Sequence, residues 1–170
     1  MDRVVSNATP LIYLAKIGKL ELLKRTFAEV IIPEQVRKEV VDKGKKLKHE
    51  DAFVIEKAIN EGWLRVLKTD LLESPIELET GEIAVISLAK RMRIEEVLID
   101  ETLARTAAKL FGLRARGTIF VLLRALEDKI INLDEFLDLL QQLARKGFRL
   151  QEVIYLEAIR QARRIASSDQ

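Results

Sequence analysis

Acidic side chains recur in this sequence at the places where short apolar runs end. Asn7 follows Val4-Val5-Ser6, and Glu39 comes one helix after Val30-Ile31-Ile32-Pro33. Glu82 stands near the start of the helix before another such run, Val97-Leu98-Ile99, which closes in Asp100-Glu101. Acids and an amide at such points suggest a site of oxygen ligands. Magnesium and manganese take oxygen donors in near-octahedral geometry and keep several waters. Crowded carboxylates repel one another, and a divalent cation relieves that cost. Such a cation can activate a water and stabilise the charge developing on a phosphodiester. Few rival chemistries remain. The chain has no cysteine and one histidine, His49, in the polar stretch from Lys45 to Asp51. Thiol nucleophiles, cysteine-ligated zinc and multi-histidine metal sites are excluded, and a Ser-His-Asp triad would need His49 as its base. His49 itself reads as a surface residue.

For these side chains to meet, the elements between them must form a parallel sheet. Val4–Ser6, Val30–Pro33, Leu64–Leu67 and Val97–Ile99 read as short buried strands, with Leu113–Arg116 as a fifth. Pro10 suits the first turn of a helix carrying Leu11, Ile12, Leu14 and Ala15. Further helical spacings cover Leu20–Phe27, a segment from Glu34, Ala52–Glu61, Thr80 to about Arg91, Glu101–Phe111 and Ile119–Leu126. Two amphipathic helices, Leu133–Ala144 and Leu150–Ile165, follow. Strands alternating with helices predict a three-layer α/β/α sandwich around a mostly parallel sheet of four to five strands, with helices added at the carboxyl end. Right-handed crossovers then set the carboxyl ends of the strands along one edge, where ligand chemistry collects in open α/β sheets. No linker or repeat interrupts the chain. The reading is one domain over 1–165 and a frayed tail over 166–170.

The same residues carry a family resemblance. The opening Val-Val-Ser-Asn-Ala-Thr-Pro-Leu-Ile-Tyr-Leu-Ala-Lys-Ile resembles the first strand and helix of a PIN domain. In particular it is similar to the branch whose opening usually reads Ser-Asp-x-Ser-Pro-Leu-Ile. Ile31-Ile32-Pro33-Glu34 through Glu39-Val40-Val41, Gly81-Glu82-Ile83-Ala84 and Leu98-Ile99-Asp100-Glu101 are similar to its later elements, in order. The resemblance implies a Mg²⁺- or Mn²⁺-dependent endoribonuclease, often the toxin of a VapBC-type toxin–antitoxin pair. Its expected partners are an RNA substrate, a small antitoxin and a second copy of the chain. By resemblance the acidic site maps onto Asn7, Glu39, Glu82 and Asp100, with Glu101 beside them as a further metal ligand. Thr9 stands where the family has a hydroxyl that orients the first acid.

Asn7 departs from that pattern, because the family has aspartate there. An amide oxygen can ligate a hard cation but brings no charge. Losing one charge beside a divalent ion costs about a few kcal/mol at surface dielectric, or roughly a hundredfold in affinity. Weak or absent nuclease activity is expected, and a catalytically inert PIN-like module that binds RNA or protein is the alternative.

Each residue also has a plain structural explanation. Asn7 or Thr9 would cap a helix, and Glu39 would be a solvated helix acid. Glu82 would favour a helix N-terminus, and Asp100 would cap the helix that begins near Glu101. Their coincidence at one edge favours function. Among the basic residues Arg105, one helical turn beyond Glu101, is the candidate for phosphate, while Lys43, Lys45, Lys46 and Lys48 read as a solvated run. Phe53 and Trp63 read as packing residues. Ile12, Tyr13, Ile17, Val153, Tyr155 and Leu156 read as core, with a dimer or antitoxin face as the other reading. A phosphatase would need Asp-x-Asp where Asn7-Ala8-Thr9 stands, and a receiver domain an early acidic pair. A net charge of +2 does not by itself argue for nucleic acid. With no apolar run long enough to span a bilayer and no signal-like start, the expectation is a cytoplasmic protein.

Overall fold

The computed structural model describes residues 2–168. Its strands are β1 (Arg3–Ser6), β2 (Glu29–Pro33), β3 (Leu64–Leu67), β4 (Glu96–Leu98) and β5 (Arg114–Arg116). They form one sheet in the order β3-β2-β1-β4-β5, with every pairing parallel. Val4 and Val5 are both fully buried, as are Ile31 and Ile32. Successive strand residues point to opposite faces, so both faces of the sheet must be covered.

The helices are α1 (Ala8–Lys16), α2 (Glu21–Thr26), α3 (Glu34–Arg37), α4 (Gly44–Lys46), α5 (Glu50–Asn60), α6 (Thr80–Met92), α7 (Thr102–Leu110), α8 (Thr118–Glu127), α9 (Leu133–Arg145) and α10 (Glu152–Ser168). Helix α6 packs on β1, β2 and β4 with α3 and α7 beside it, α1 packs against α5 and α8, and α2, α9 and α10 pack around α8. The expected α/β architecture with its parallel sheet is present, and all five strands lie within a residue of their expected positions. Among the described residues no helix is long and apolar enough to cross a membrane.

Three details differ from the reading of the sequence. The helix from Glu34 holds α geometry only to Arg37, and Lys38–Lys43 continue as a π-helix into α4. Val153 and Leu156 are not core: they are 74% and 56% exposed. The buried residues of α10 are Ala158 and Ala162, with Tyr155 and Ile159 packed partly buried against the core beside them. Phe53 is likewise exposed, whereas Trp63 packs half-buried against the core. The tail expected to fray from 166 is helical through Ser168, and 169–170 lie outside the described residues.

Candidate acidic cleft at the carboxyl edge of the sheet

Asn7 is the first residue past β1, and its backbone N–H donates to the Leu98 carbonyl at 2.9 Å, carrying the β1–β4 pairing one step beyond the strands. Its side chain is almost wholly buried, at 4% exposure. Although Asn7 occupies the N-cap position of α1 in extended backbone, its side chain makes no capping hydrogen bond. Instead Nδ2 donates to Glu101 Oε2 at 3.4 Å, and the Thr9 hydroxyl donates to Glu101 Oε1 at 2.7 Å. The two donors hold both oxygens of Glu101 against the start of α1.

The amide oxygen of Asn7 faces the other way, toward the first turn of α6. A Cβ placed on Gly81 would lie 3.5 Å from Asn7 Oδ1 and 3.3 Å from Glu39 Oε2. Glycine at 81 therefore leaves the floor open for an oxygen from α1 and one from the π-helical segment. Glu82, 8% exposed, completes this floor. Its Oε1 accepts the Glu79 backbone N–H at 3.0 Å, and the two glutamates form a reciprocal capping box at the start of α6. The helix-terminal explanation of Glu82 is thus realised alongside its place in the cleft.

Electrostatically the acids form one group. Burial pushes Glu39 up from the ordinary glutamate range, and Glu79 and Glu101 push it further against the opposing charge of Lys43. Burial also pushes Glu82 up; its bond from the Glu79 N–H pulls it down, and Glu101, Glu79 and Glu39 raise it again. Glu77, Glu79, Glu82, Glu101 and the exposed Leu103 line a cleft of about 480 Å³.

Asp100 is placed differently. Its Oδ1 accepts the Thr118 backbone N–H at 2.8 Å and its Oδ2 the Thr118 hydroxyl at 2.7 Å. Both carboxylate oxygens are thereby spent on the first residue of α8. A Cβ on Gly117 would lie 2.5 Å from Asp100 Oδ1, so this approach requires glycine. Burial raises the Asp100 pKa while the two bonds from Thr118 oppose it. Arg105 stays with this pair, its Nη2 donating to the Ala115 carbonyl at 3.4 Å.

The structure therefore brings Asn7, Thr9, Glu39, Glu82 and Glu101 together and turns Asp100 and Arg105 toward β5 and α8. Reading the sequence overlooked Glu79 and Glu77, which fall in and just after the polar loop before α6. Ser87 ties that loop down, accepting the Leu72 N–H at 2.8 Å and donating to the Ile83 carbonyl. The one available signal was the Glu79-x-x-Glu82 spacing of a capping box.

The donors facing the cleft are all oxygens, the set that magnesium and manganese take. Burial chiefly, and neighbouring acids after it, raise Glu39 and Glu82 above the ordinary glutamate range, so each carboxylate would gain from a cation beside it. In kind, then, Asn7, Glu39, Glu82 and Glu101 suit a hard divalent cation. In number they fall short of a ready-made cage: among the described residues no three acidic or histidine side chains converge closely enough to hold a metal.

A family model described as DUF3368, a PIN domain, matches residues 3–164. The fold is similar to a solved PilT N-terminus domain protein from the hyperthermophilic archaeon Sulfolobus solfataricus P2, with a TM-score of 0.51 and 16% identity, covering 71% of this chain and 90% of that one. No curated protein sequence matches. The match runs through every strand and through both walls of the cleft, and the chain belongs to the PIN domain family.

Proposed function

We propose that this chain is a divalent-metal-dependent endoribonuclease of the toxin type, held at low activity by Asn7. The observation that carries the reading is the gathering of Glu39, Glu82 and Glu101 near the buried Asn7 amide, where burial and neighbouring acids raise Glu39 and Glu82 beside an open cleft. Glu39, Glu82, Glu101 and Asn7 Oδ1 are the groups that would hold Mg²⁺ or Mn²⁺. When bound, such an ion supplies an activated water and neutralises charge on the phosphodiester.

The chain's own residues do the rest. Thr9 and Asn7 fix Glu101 by donating to its two oxygens, so its direction into the cleft is set beforehand. The Glu79 N–H fixes Glu82 in the same way. Asp100 acts through Thr118, holding the start of α8. An aspartate at position 7 would add a charge where the amide adds none, and it could not donate to Glu101.

The second reading, an inert PIN-like module that binds RNA or a partner protein, is favoured by the incomplete ligand cage. An antitoxin-like protein or a second copy of the chain would find apolar surface at Val153, Ile154 and Leu156 on α10.

Cleavage of a mixed RNA pool in Mn²⁺ by the chain and by Asn7→Asp tests the proposal. The expected result is slow or absent cleavage by the first and strong cleavage by the second, abolished again when Glu101→Gln is added. Mn²⁺ affinity measured by calorimetry should rise about a hundredfold in Asn7→Asp. No cleavage and no metal binding by either protein would leave the binding-module reading in its place.

A further inference from the structure

The lysine run after Glu39 is folded into a rigid corner. Leu47 N–H bonds to the Lys43 carbonyl, Lys48 to Lys45, His49 to Gly44 and Ala52 to His49, at 2.9–3.2 Å. Gly44 lets this corner close: a Cβ there would lie 2.8 Å from Ala52 Cβ, so α4 seats directly on α5 at the residue before Phe53. Lys48 turns the chain in left-handed backbone, φ 58°.

Two features of the corner's surface are little used within the chain. Phe53 is 52% exposed, and Lys45 Nζ lies 5.6 Å from its ring centroid while pairing with Glu56 at 3.0 Å. The pairing holds Lys45 over one face of the ring, so a base would stack on the other. Lys43, Lys46 and Lys48 make no ion pair among the described residues. A single exposed phenylalanine is ordinary, and so is a lysine-rich turn. An exposed ring beside unpaired lysines on a rigid support has the composition of a single-strand binding surface. There aromatic faces stack bases, and cations follow the phosphates.

Position supplies the third argument. Lys43 lies one turn beyond Glu39 in the π-helical segment. The strip therefore starts beside Glu39. π-Helical turns are rare and concentrate at functional sites, and this one sets the spacing between the acid and the first lysine.

We infer that the α4–α5 corner binds single-stranded RNA, with Lys43, Lys46 and Lys48 on successive phosphates and Phe53 stacked on a base, leading the strand to the cleft. The inference rests on the proposed ribonuclease reading for its choice of RNA.

The test is fluorescence anisotropy with a labelled oligouridylate of about twelve nucleotides, in EDTA so that nothing is cut. Lys43→Gln, Lys46→Gln and Lys48→Gln together should weaken binding at least about tenfold at low salt and reduce the salt slope by roughly two. Phe53→Ala should weaken binding about tenfold with the slope unchanged. Melting curves matching the parent show that both variants are folded. Parent-like affinity and slope in the folded triple variant overturn the inference while leaving the ribonuclease reading intact. No RNA binding by the parent chain at low salt overturns both. If Phe53→Ala and the triple variant lose affinity for a polyglutamate peptide but keep it for RNA, the surface belongs to an acidic protein instead.

Discussion

At the amino end of the sheet Glu29 is bridged by Arg65 and, at 4.0 Å, by Arg3, whereas at the carboxyl end Glu39 and Glu82 face other acids. Glu95 has Arg114 at 3.7 Å, and the buried Glu96, raised by desolvation, is pulled back down by Arg114, Arg116 and Arg124. Both ends are rich in carboxylates. One end meets their charge with arginine; at the other Lys43 alone acts on Glu39, and the rest is left to whatever enters the cleft. An acidic cluster becomes informative when its counter-charges are missing, not when its acids are numerous.

Asp100 is the test case within the carboxyl end, because its partners are internal, as at the amino end. Asp100→Ala strips the Thr118 N–H and hydroxyl of their acceptor and should cost about 2–3 kcal/mol, which is roughly 5–10 °C in Tm for a chain of this size. Glu101→Ala should change the metal-free Tm by no more than about 2 °C. Thermal melts of the two variants, one residue apart, break the comparison if they come out alike.

Glu82→Gln should come next in size. Glu39 and Glu82 bind protons more readily folded than unfolded, so the stability they contribute is full below pH 4.5 and is lost as pH rises through their raised folded values. Removing one of these charges should raise the metal-free Tm at pH 7 and leave it unchanged at pH 4. Millimolar Mn²⁺ should raise the parent's Tm at pH 7 and not at pH 4. A pH-independent effect of the substitution would remove the electrostatic account of the cleft.

The smallest effect is expected from Glu96→Gln. Its pKa is raised as well, so the sign is the same: stability gained at pH 7, none below pH 4.5. Arginines already offset that burial, so the gain in Tm should be smaller than for Glu82→Gln. An equal or larger gain would show that the arginines at the amino end compensate less than their distances suggest.

The strands and their edge could be read from the apolar runs because a strand buried on both faces leaves an uninterrupted β-branched signature. Right-handed crossovers then fix the end at which Asn7, Glu39, Glu82 and Glu101 gather. The direction of each side chain could not be read. β4 ends at Leu98, not Ile99, and successive side chains past a strand end diverge, so Asp100 turns to Thr118 while Glu101 turns to Thr9. That one-residue difference separates an acid bonded within the fold from an acid at the cleft, and no pattern of residue types encodes it. Glu79 escaped because capping boxes are recognised by serine or threonine at the first position. Phe53, Val153 and Leu156 escaped because helical periodicity marks an apolar face without saying whether anything covers it.

The central strand has a consequence for assembly. β1 pairs with β2 at Val5↔Ile31, a short closure, and with β4 at Val5↔Val97, across roughly ninety residues of chain. Loop entropy grows with length, and distant parallel pairing is slow to form. β1, β2 and β3 are expected to associate first, with β4 arriving late and bringing Glu101 with it. Asn7, Glu39 and Glu82 are all synthesised before that strand. A chain still emerging during translation would thus hold three of the four grouped side chains and an unfinished cleft until its last ladder closes.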